Sequence, residues 1–185
     1  MTGQSAGSVF LESAISRLKG LKHNAEGAMA QLDDRELHWT PDAECNSVAV
    51  NVQHIHGNMI SRWTDFLTTD GDKPTRDRDA EFTANASLTR EEITKLWEEG
   101  WTCLLSALDS LGPEDVVKNV TIRGEQLTVI DAVLRQLSHY AYHVGQIVLL
   151  AKQKKSSSWK TLSVARGESK SYKPIPRDHL GGKAE

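Results

Sequence analysis

The stretch of sequence that decides the fold is LTVIDAVLRQLSHYAYHVGQIVLLA, residues 127–151. Its apolar residues recur at alternating steps of three and four, which places them along one side of an α-helix. They are Leu127, Ile130, Leu134, Leu137, Ala141, Val144, Val148 and Ala151. Thr128, with Asp131 three residues later, is typical of a helix N-terminus. The stretch therefore predicts a long helix with one buried face.

Three earlier segments show the same period. Residues 11–32 and 47–67 carry an apolar residue on each turn, and a further segment begins at Thr89, which predicts a capping box with Glu92. Four helices of about 20 residues, each with one apolar face, bury those faces best by packing together. The sequence therefore predicts an all-α fold, and within that class a four-helix bundle.

Two segments between these helices have a different composition. Residues 68–87, TTDGDKPTRDRDAEFTANAS, form a long polar connection between the second and third predicted helices. Connections of this length in a compact domain are usually functional or disordered. Residues 116–125, VVKNVTIRGE, contain β-branched residues in two short pieces. They predict a short extended segment or hairpin before the fourth helix.

Charge is distributed unevenly along the chain. The formal net charge of the 185 residues is −3, yet residues 152–185 hold nine Lys or Arg against three acids. The overall balance gives no reason to expect nucleic acid or an anionic membrane as a partner. We expect one bundle domain over residues 1–155 and a basic tail over residues 156–185, partly ordered against the bundle. The tail is either solvated or clamped over the acidic body.

The cysteines and the N-terminal segment indicate a compartment. Cys45 and Cys103 form no CxxC pair, so reduced thiols are the simpler interpretation. The first 20 residues lack a basic region followed by an apolar run, which argues against a signal peptide. No apolar run approaches the ~20 residues that span a bilayer. We expect a cytoplasmic protein.

His139 and His143 are candidates for metal ligation. Positions i and i+4 project to the same side of a helix one turn apart, which suits two ligands of one ion. A half-exposed pair with satisfied hydrogen bonds is the competing interpretation. Relative to the predicted apolar face, both lie at its boundary, near Gln136 and Gln146. Tyr140 stands where the zinc-peptidase motif HExxH has glutamate, which argues against that class.

A third ligand is expected from NVQHIHGNM, residues 51–59. On a helix, His54 lies on a polar line with Asn51 and Asn58, whereas His56 points to nearly the opposite side. The two histidines cannot both face one pocket. The pattern alone does not choose between them.

Three stretches together resemble the DinB/YfiT-like superfamily, over residues 8–170. They are NVQHIHGNMISRWTDFLTTDGDKPTRDRDAEF (51–82), LSHYAYHVGQIVLLAK (137–152) and WKTLSVARGES (159–169). The closest resemblance is to a bacterial branch that shares the GNM-SRWTDFL-TDG motif. The resemblance implies a four-helix bundle, often dimeric, with a divalent metal ion, nickel or zinc. It implies His54, His139 and His143 as the metal ligands and leaves His56 to packing or to the support of a ligand.

The same resemblance suggests an activity. Characterised members of the superfamily include thiol-dependent transferases and isomerases, which implies a small-molecule substrate and a low-molecular-weight thiol. A hydrolase that uses water in the thiol's position is the sister interpretation. The alternative is a non-catalytic dimeric protein that binds metal or a small ligand in stress response or regulation. The catalytic residues are left unknown.

Several polar residues are candidates for supporting roles. A ligating imidazole needs a partner for its other ring nitrogen, and we consider four residues: Asn58, Gln136, Gln146 and Asp65. The charged connection adds a possible base or anion-binding group, from Arg76, Arg78, Asp79 and Glu81. A solvated run of charges is the plainer interpretation of the connection. Trp97 and Trp101 are interpreted as core, and the cysteines as unactivated thiols.

Overall fold

The computed structural model describes residues 5–173. Four long helices carry most of it: α1 (Ala6–Met29), α2 (Val48–Trp63), α4 (Arg90–Asp109) and α5 (Val129–Lys155). A four-residue helix, α3 (Arg78–Glu81), lies between α2 and α4. The strands β1 (Asn119–Ile122) and β2 (Glu125–Thr128) pair antiparallel just before α5. The prediction of a mainly helical chain is confirmed.

Hydroxyl side chains begin all four long helices. Ser5, Ser47, Thr89 and Thr128 each accept a hydrogen bond from the backbone N–H three residues later. These bonds satisfy donors that the first turn of a helix leaves unpaired. The predicted capping box at Thr89 is confirmed, because the Glu92 carboxylate accepts the backbone N–H of Thr89 at 2.8 Å.

The long helices pack around one hydrophobic core. α2 contacts both α4 and α5, and α1 contacts α5. Trp97, Trp101 and Leu104 of α4 are fully buried in that core, which confirms the interpretation of the two tryptophans. Gly100 allows α4 to approach α2 closely, since a Cβ at this position would lie 3.2 Å from the Cα of His56.

The predicted buried face of α5 is wrong by about one residue. Leu134 is 46% exposed, whereas the neighbouring Val133 is fully buried. The inward face runs through Val133, Gln136, Tyr140, Val144, Ile147 and Ala151. Because Gln136 and His143 lie on the inward side, a hydropathy pattern counts that side as solvent-facing. His143 therefore lies inside the packed face and not at its boundary.

The connection after α2 folds back along that helix. Arg62, in the last turn of α2, donates to the Gly71 carbonyl and to the Asp72 carboxylate, the latter at 2.9 Å. Ser61 Oγ donates to the same carbonyl at 2.9 Å. These bonds return the chain so that α3 contacts α2. The polar connection thereby places its charged residues beside α2.

A tight turn joins the two strands. Arg123 and Gly124 have φ angles of 57° and 74°, the left-handed pair that a two-residue type I′ hairpin requires. Asp70 of the connection accepts the backbone N–H of both residues at 2.8 Å. The predicted hairpin is confirmed, and it is tied to the connection.

The segment after α5 contacts α1. Lys160 N donates to Gln31 Oε1 at 2.8 Å, and Gln31 Nε2 donates to the Lys160 carbonyl at 3.0 Å. Trp159 and Leu162 pack against the core. Residues 174–185 of the predicted tail lie outside the described residues, and the domain division at residue 155 stays a prediction. Of the described helices, none combines the length and hydropathy needed to cross a membrane.

Candidate metal centre

α2 and α5 bring three histidine side chains together. Nε2 of His139 lies 3.1 Å from Nε2 of His54 and 3.2 Å from Nε2 of His143. His54 and His143 are only 2% and 6% exposed, and His139 is half-buried. Each ring offers one nitrogen to a common point, with the three nitrogens within 4.8 Å of one another. This group can hold a metal ion.

Glu81 of α3 fixes the ring of His54. Its Oε2 lies 2.8 Å from His54 Nδ1, and Arg76 donates to both carboxylate oxygens at 2.7 and 2.8 Å. Burial raises the pKa of Glu81, but Arg76 and His54 outweigh it and lower that pKa below its ordinary value. The carboxylate is therefore ionised and accepts the Nδ1 proton. Gly57 makes room for it, because a Cβ there would collide with the carboxylate.

Asn51 fixes the ring of His143, a role that the sequence analysis missed. Asn51 Nδ2 donates to the Ser47 carbonyl at 2.9 Å. The amide oxygen is thereby turned toward His143 Nδ1, 2.9 Å away, so Nδ1 is the donor. The available signal was the polar line that Asn51 shares with His54 on a helix that is otherwise largely apolar.

The third ring has less support. His139 Nδ1 is buried and has no hydrogen-bond partner within residues 5–173. Burial is the largest cause that lowers the pKa of His139, to about 4. Burial likewise lowers the pKa of His143 to about 3. Both rings are neutral at pH 7, which is the state in which imidazole binds a metal ion.

The protons on the outer ring nitrogens decide what the inner nitrogens can bind. Because Nδ1 carries the proton in His54 and His143, the Nε2 atoms of both present lone pairs. A proton on His139 Nε2 can be donated to only one of them at a time. Three nitrogens bound tetrahedrally to one zinc ion lie about 3.3 Å apart, close to the 3.1 and 3.2 Å that separate His139 from the other two rings, and the third pair lies within 4.8 Å. The donor set and its spacing fit a divalent metal ion.

His56 lies apart from this group. Its Nε2 is 3.4 Å from a carboxylate oxygen of Glu99 on α4. Burial lowers the pKa of His56, although Glu99 acts in the opposite direction. The helical period left His54 and His56 as alternatives, and the structure brings His54 to the α5 pair.

Two predicted orienting residues, Asn58 and Gln136, are buried beside the three rings. Asn58 Oδ1 accepts the Tyr140 hydroxyl proton at 3.0 Å, and the same hydroxyl accepts Trp63 Nε1–H at 3.0 Å. Gln136 is buried on α5, and its Oε1 has no partner in the part of the chain that the structure describes. Asn58 therefore supports the packing of Tyr140 between the two helices.

The other candidates from the sequence lie further out. Gln146 is half-buried in the wall of a cleft beside the histidines. Asp65 and Asp79 are exposed. Arg78 lies with its guanidinium 5.0 Å from the centre of the Phe82 ring. Phe82 in turn stacks on His54, with ring centres 4.4 Å apart.

Two cavities open onto the histidines. The larger is a cleft of about 750 Å³ whose wall includes Phe82, Leu149 and Cys45, a volume within the range of small-molecule sites. The smaller, of about 200 Å³, is lined by His54, His139 and several arginines. Cys45 is exposed, and its hydrogen bond to Asp42 raises the pKa of its thiol. Cys45 is therefore not an activated nucleophile.

Fold and site together define a mainly helical protein with a buried three-histidine group between two of its long helices. The chain belongs to the family described as Protein of unknown function (DUF1572), which matches residues 5–168. No curated protein matches the chain, and no solved structure does. The matched range includes both helices that carry the three histidines.

Proposed function

We propose that this protein is a metal-dependent enzyme in which His54, His139 and His143 hold a divalent ion beside a substrate cleft. One observation carries the proposal. Glu81 and Asn51 accept the Nδ1 protons of His54 and His143, so the buried Nε2 atom of each ring presents a lone pair. These two Nε2 atoms lie 3.1 and 3.2 Å from Nε2 of His139. Carboxylate and amide partners of this kind orient the imidazole ligands of metal sites.

Membership of the DinB/YfiT-like superfamily, with its four-helix bundle, is part of the proposal. It is supported by the pairing of one histidine from α2 with an HxxxH pair from α5. The long connection between α2 and α4 also agrees with it. The homodimer and the cytoplasmic location rest on the sequence alone.

Zinc or nickel is the proposed ion, because neutral imidazole suits both. Three protein ligands leave positions open to a substrate, as in catalytic sites and unlike closed structural ones. When bound, such an ion lowers the pKa of a coordinated thiol or water toward neutrality.

The residues that line the cleft indicate whether the nucleophile of the proposed reaction is a protein side chain or an external molecule. The apolar wall at Phe82, Leu149 and Leu150 suits the body of a small molecule. Cys45 faces the same cleft, but its raised pKa keeps the thiol protonated at neutral pH. The nucleophile is therefore external, a low-molecular-weight thiol in a transferase or water in a hydrolase.

Metal content is the first test. We expect one zinc or nickel ion per chain in freshly purified protein, measured by elemental analysis, and loss of that ion in His143→Ala. His23→Ala, at an exposed position on α1, is the matched control and should retain the ion. The proposal fails if the wild type holds no stoichiometric ion and none can be added back.

Turnover is the second test. Metal-loaded protein is incubated with electrophiles and a panel of low-molecular-weight thiols, and separately with ester substrates. We expect thiol consumption or hydrolysis that His143→Ala lacks while its circular dichroism is unchanged. Equal rates with and without protein across the thiol panel would remove the transferase version.

A non-catalytic metal-binding module is the second candidate function. It is favoured by the position of the histidines, which join α2 to α5, so that an ion there stabilises the packed state. The two functions differ in what His143→Ala changes. In an enzyme, the metal-loaded wild type turns over a substrate and the variant does not; in a module with a structural ion, the wild type shows no turnover and the variant changes only the melting temperature.

A further inference from the structure

The smaller cavity beside the histidines has an unusual wall. It is lined by five arginines, namely Arg62, Arg76, Arg78, Arg123 and Arg135. Asn58, Gln136, His54 and His139 complete the lining, so none of the described residues that line it is a carboxylate. Its volume of about 200 Å³ is below the range of whole-ligand pockets. This arginine pocket suits one functional group of a larger molecule.

Acids behind the wall neutralise only part of this charge. Asp72 pairs with Arg62 at 2.9 Å and with Arg123 at 3.0 Å, and Glu81 pairs with Arg76 at 2.7 Å. Asp72 and Glu81 thus face three guanidinium groups. The acids hold the arginines in place without filling the pocket.

The two remaining arginines are less compensated. Arg78 stacks on Phe82 and has no ion pair within residues 5–173. Arg135 has one carboxylate in reach, Glu125 at 3.9 Å, and both side chains are substantially exposed. An exposed pair at that distance contributes little. The pocket therefore carries an excess of positive charge beside the candidate metal centre.

Converging guanidinium groups repel one another unless an anion lies between them. Arginine presents a planar fork of N–H donors that matches the oxygens of a carboxylate or a phosphate. Three of the five guanidinium groups already pair with Asp72 or Glu81, but Arg78 and Arg135 have no close carboxylate partner among the described residues, and no acid lines the pocket. This pocket therefore has the chemistry of an oxyanion site. A lysine cluster would lack this two-point geometry.

The pocket is continuous with the site described above. His54, His139 and Arg78 line both the arginine pocket and the 750 Å³ cleft. A molecule with an anionic group in the pocket and its body in the cleft passes directly over the Nε2 atoms of the histidines. The stack of Arg78 on Phe82 and of Phe82 on His54 fixes one guanidinium at this junction.

We infer that the substrate is a small molecule bearing a carboxylate or phosphate group, and that the arginine pocket binds this group next to the reacting centre. This inference rests on the proposed function for the identity of the reacting centre. The pocket's affinity for an oxyanion follows from the arginines alone. The two can therefore be tested separately.

The test uses Arg78→Gln, Arg135→Gln and the double variant. Both side chains lie outside the buried ion pairs that hold Arg62 and Arg76, so the variants should fold. Arg17→Gln, at an exposed position on α1, is the matched control. The probes are inorganic phosphate and succinate, titrated calorimetrically into metal-free full-length protein, and then into zinc-loaded protein.

We expect saturable binding of at least one probe to metal-free wild type and to Arg17→Gln. Each single variant should bind about fivefold or more weakly, as expected for the loss of a charge-assisted hydrogen bond, and the double variant should not saturate. The tighter probe identifies the group as a phosphate or a carboxylate. The inference is overturned if neither probe binds the wild type, or if the double variant binds as well as the wild type.

The zinc titration separates this inference from the proposed function. If zinc binds with one-to-one stoichiometry but no probe does, the metal centre stands and the anion pocket is wrong. If a probe binds in an Arg78- and Arg135-dependent way while zinc does not, the pocket stands and the metal-dependent function is wrong.

Discussion

α2 has two sides built from different chemistry. Toward α4 it presents Met59 and the backbone of His56, which pack against Gly100 in a mainly apolar contact, with the partly exposed His56–Glu99 pair beside it. Toward α5 it presents Asn51, His54 and Asn58, each of which meets a polar partner on that helix. Burying polar groups costs free energy unless each finds a hydrogen bond. On the α5 side each of these three residues has such a partner, which offsets the cost of its burial. This arrangement is typical of a binding site.

This comparison predicts that substitutions on the α4 side change stability alone. Leu104→Ala removes a fully buried side chain and should lower the free energy of unfolding by about 2–5 kcal/mol, because the cavity it leaves collapses only in part. Denaturant titration measures the change. Zinc stoichiometry in the folded variant should be unchanged.

The matched control is Leu134→Ala, which truncates a leucine that the sequence predicted to be buried and that is 46% exposed. Its cost should be well under that of Leu104→Ala. If both variants lost the same free energy of unfolding, Leu134 would be buried, as the sequence predicted.

On the α5 side, the partners of the ligands should control metal affinity. Glu81→Gln keeps the shape of the side chain but removes the charge that accepts the His54 Nδ1 proton and pairs with Arg76. We expect zinc affinity to fall by about 10–100-fold, measured by competition with a chelating dye.

Glu99→Gln is the matched control, because Glu99 pairs with His56, the neighbouring histidine outside the group. Zinc affinity should be unchanged in this variant. A loss equal to that of Glu81→Gln would mean that net charge, and not the bond to His54, sets the affinity.

Tyr140→Phe tests a polar contact that supports packing without touching the three rings. The change leaves Trp63 Nε1 without its acceptor and Asn58 Oδ1 without its donor. We expect a loss of about 1–3 kcal/mol in the free energy of unfolding, the cost of buried unpaired groups. Tyr142→Phe, at a residue that is 67% exposed, should leave the stability unchanged.

Gly57→Ala should give the smallest effect. The added methyl group collides with the Glu81 carboxylate, so zinc affinity should fall by less than in Glu81→Gln, while helix propensity improves by up to about 1 kcal/mol. Gly20→Ala, where nothing lies near the added carbon, should gain stability and keep its zinc affinity. An unchanged affinity in Gly57→Ala would show that Glu81 moves aside freely.

The sequence predicted most of the helices because their signals are local. Three-four periodicity indicated the four long helices, hydroxyl caps at Thr89 and Thr128 indicated where α4 and α5 begin, and β-branched residues in 116–125 indicated the hairpin. The face of α5 was wrong because its apolar residues surround much of the helix. Its true inward face includes Gln136 and His143, which hydropathy places outside.

The site was predictable in its ligands but not in their partners. Spacing placed His139 and His143 together, and family resemblance selected His54. The hydrogen bond between His54 and Glu81 joins α2 to the polar connection. It forms only because the connection folds back along α2, and no local sequence pattern predicts that path. Asn51 accepts the His143 Nδ1 proton only because its amide is oriented by the Ser47 carbonyl and because α5 lies beside it. Neither condition can be read from the local sequence.

Because the connection after α2 folds back onto the site, its protease resistance can report ligand binding without an activity assay. The connection supplies Glu81 to His54 and Arg76 and Arg78 to the arginine pocket, so an occupant of either place binds only the ordered form of the segment. At a concentration of 100 Kd, such an occupant stabilises the ordered form by about 2.7 kcal/mol. Protease cleavage within residues 64–89 should therefore slow when the correct molecule is added. A library can be screened on that rate alone.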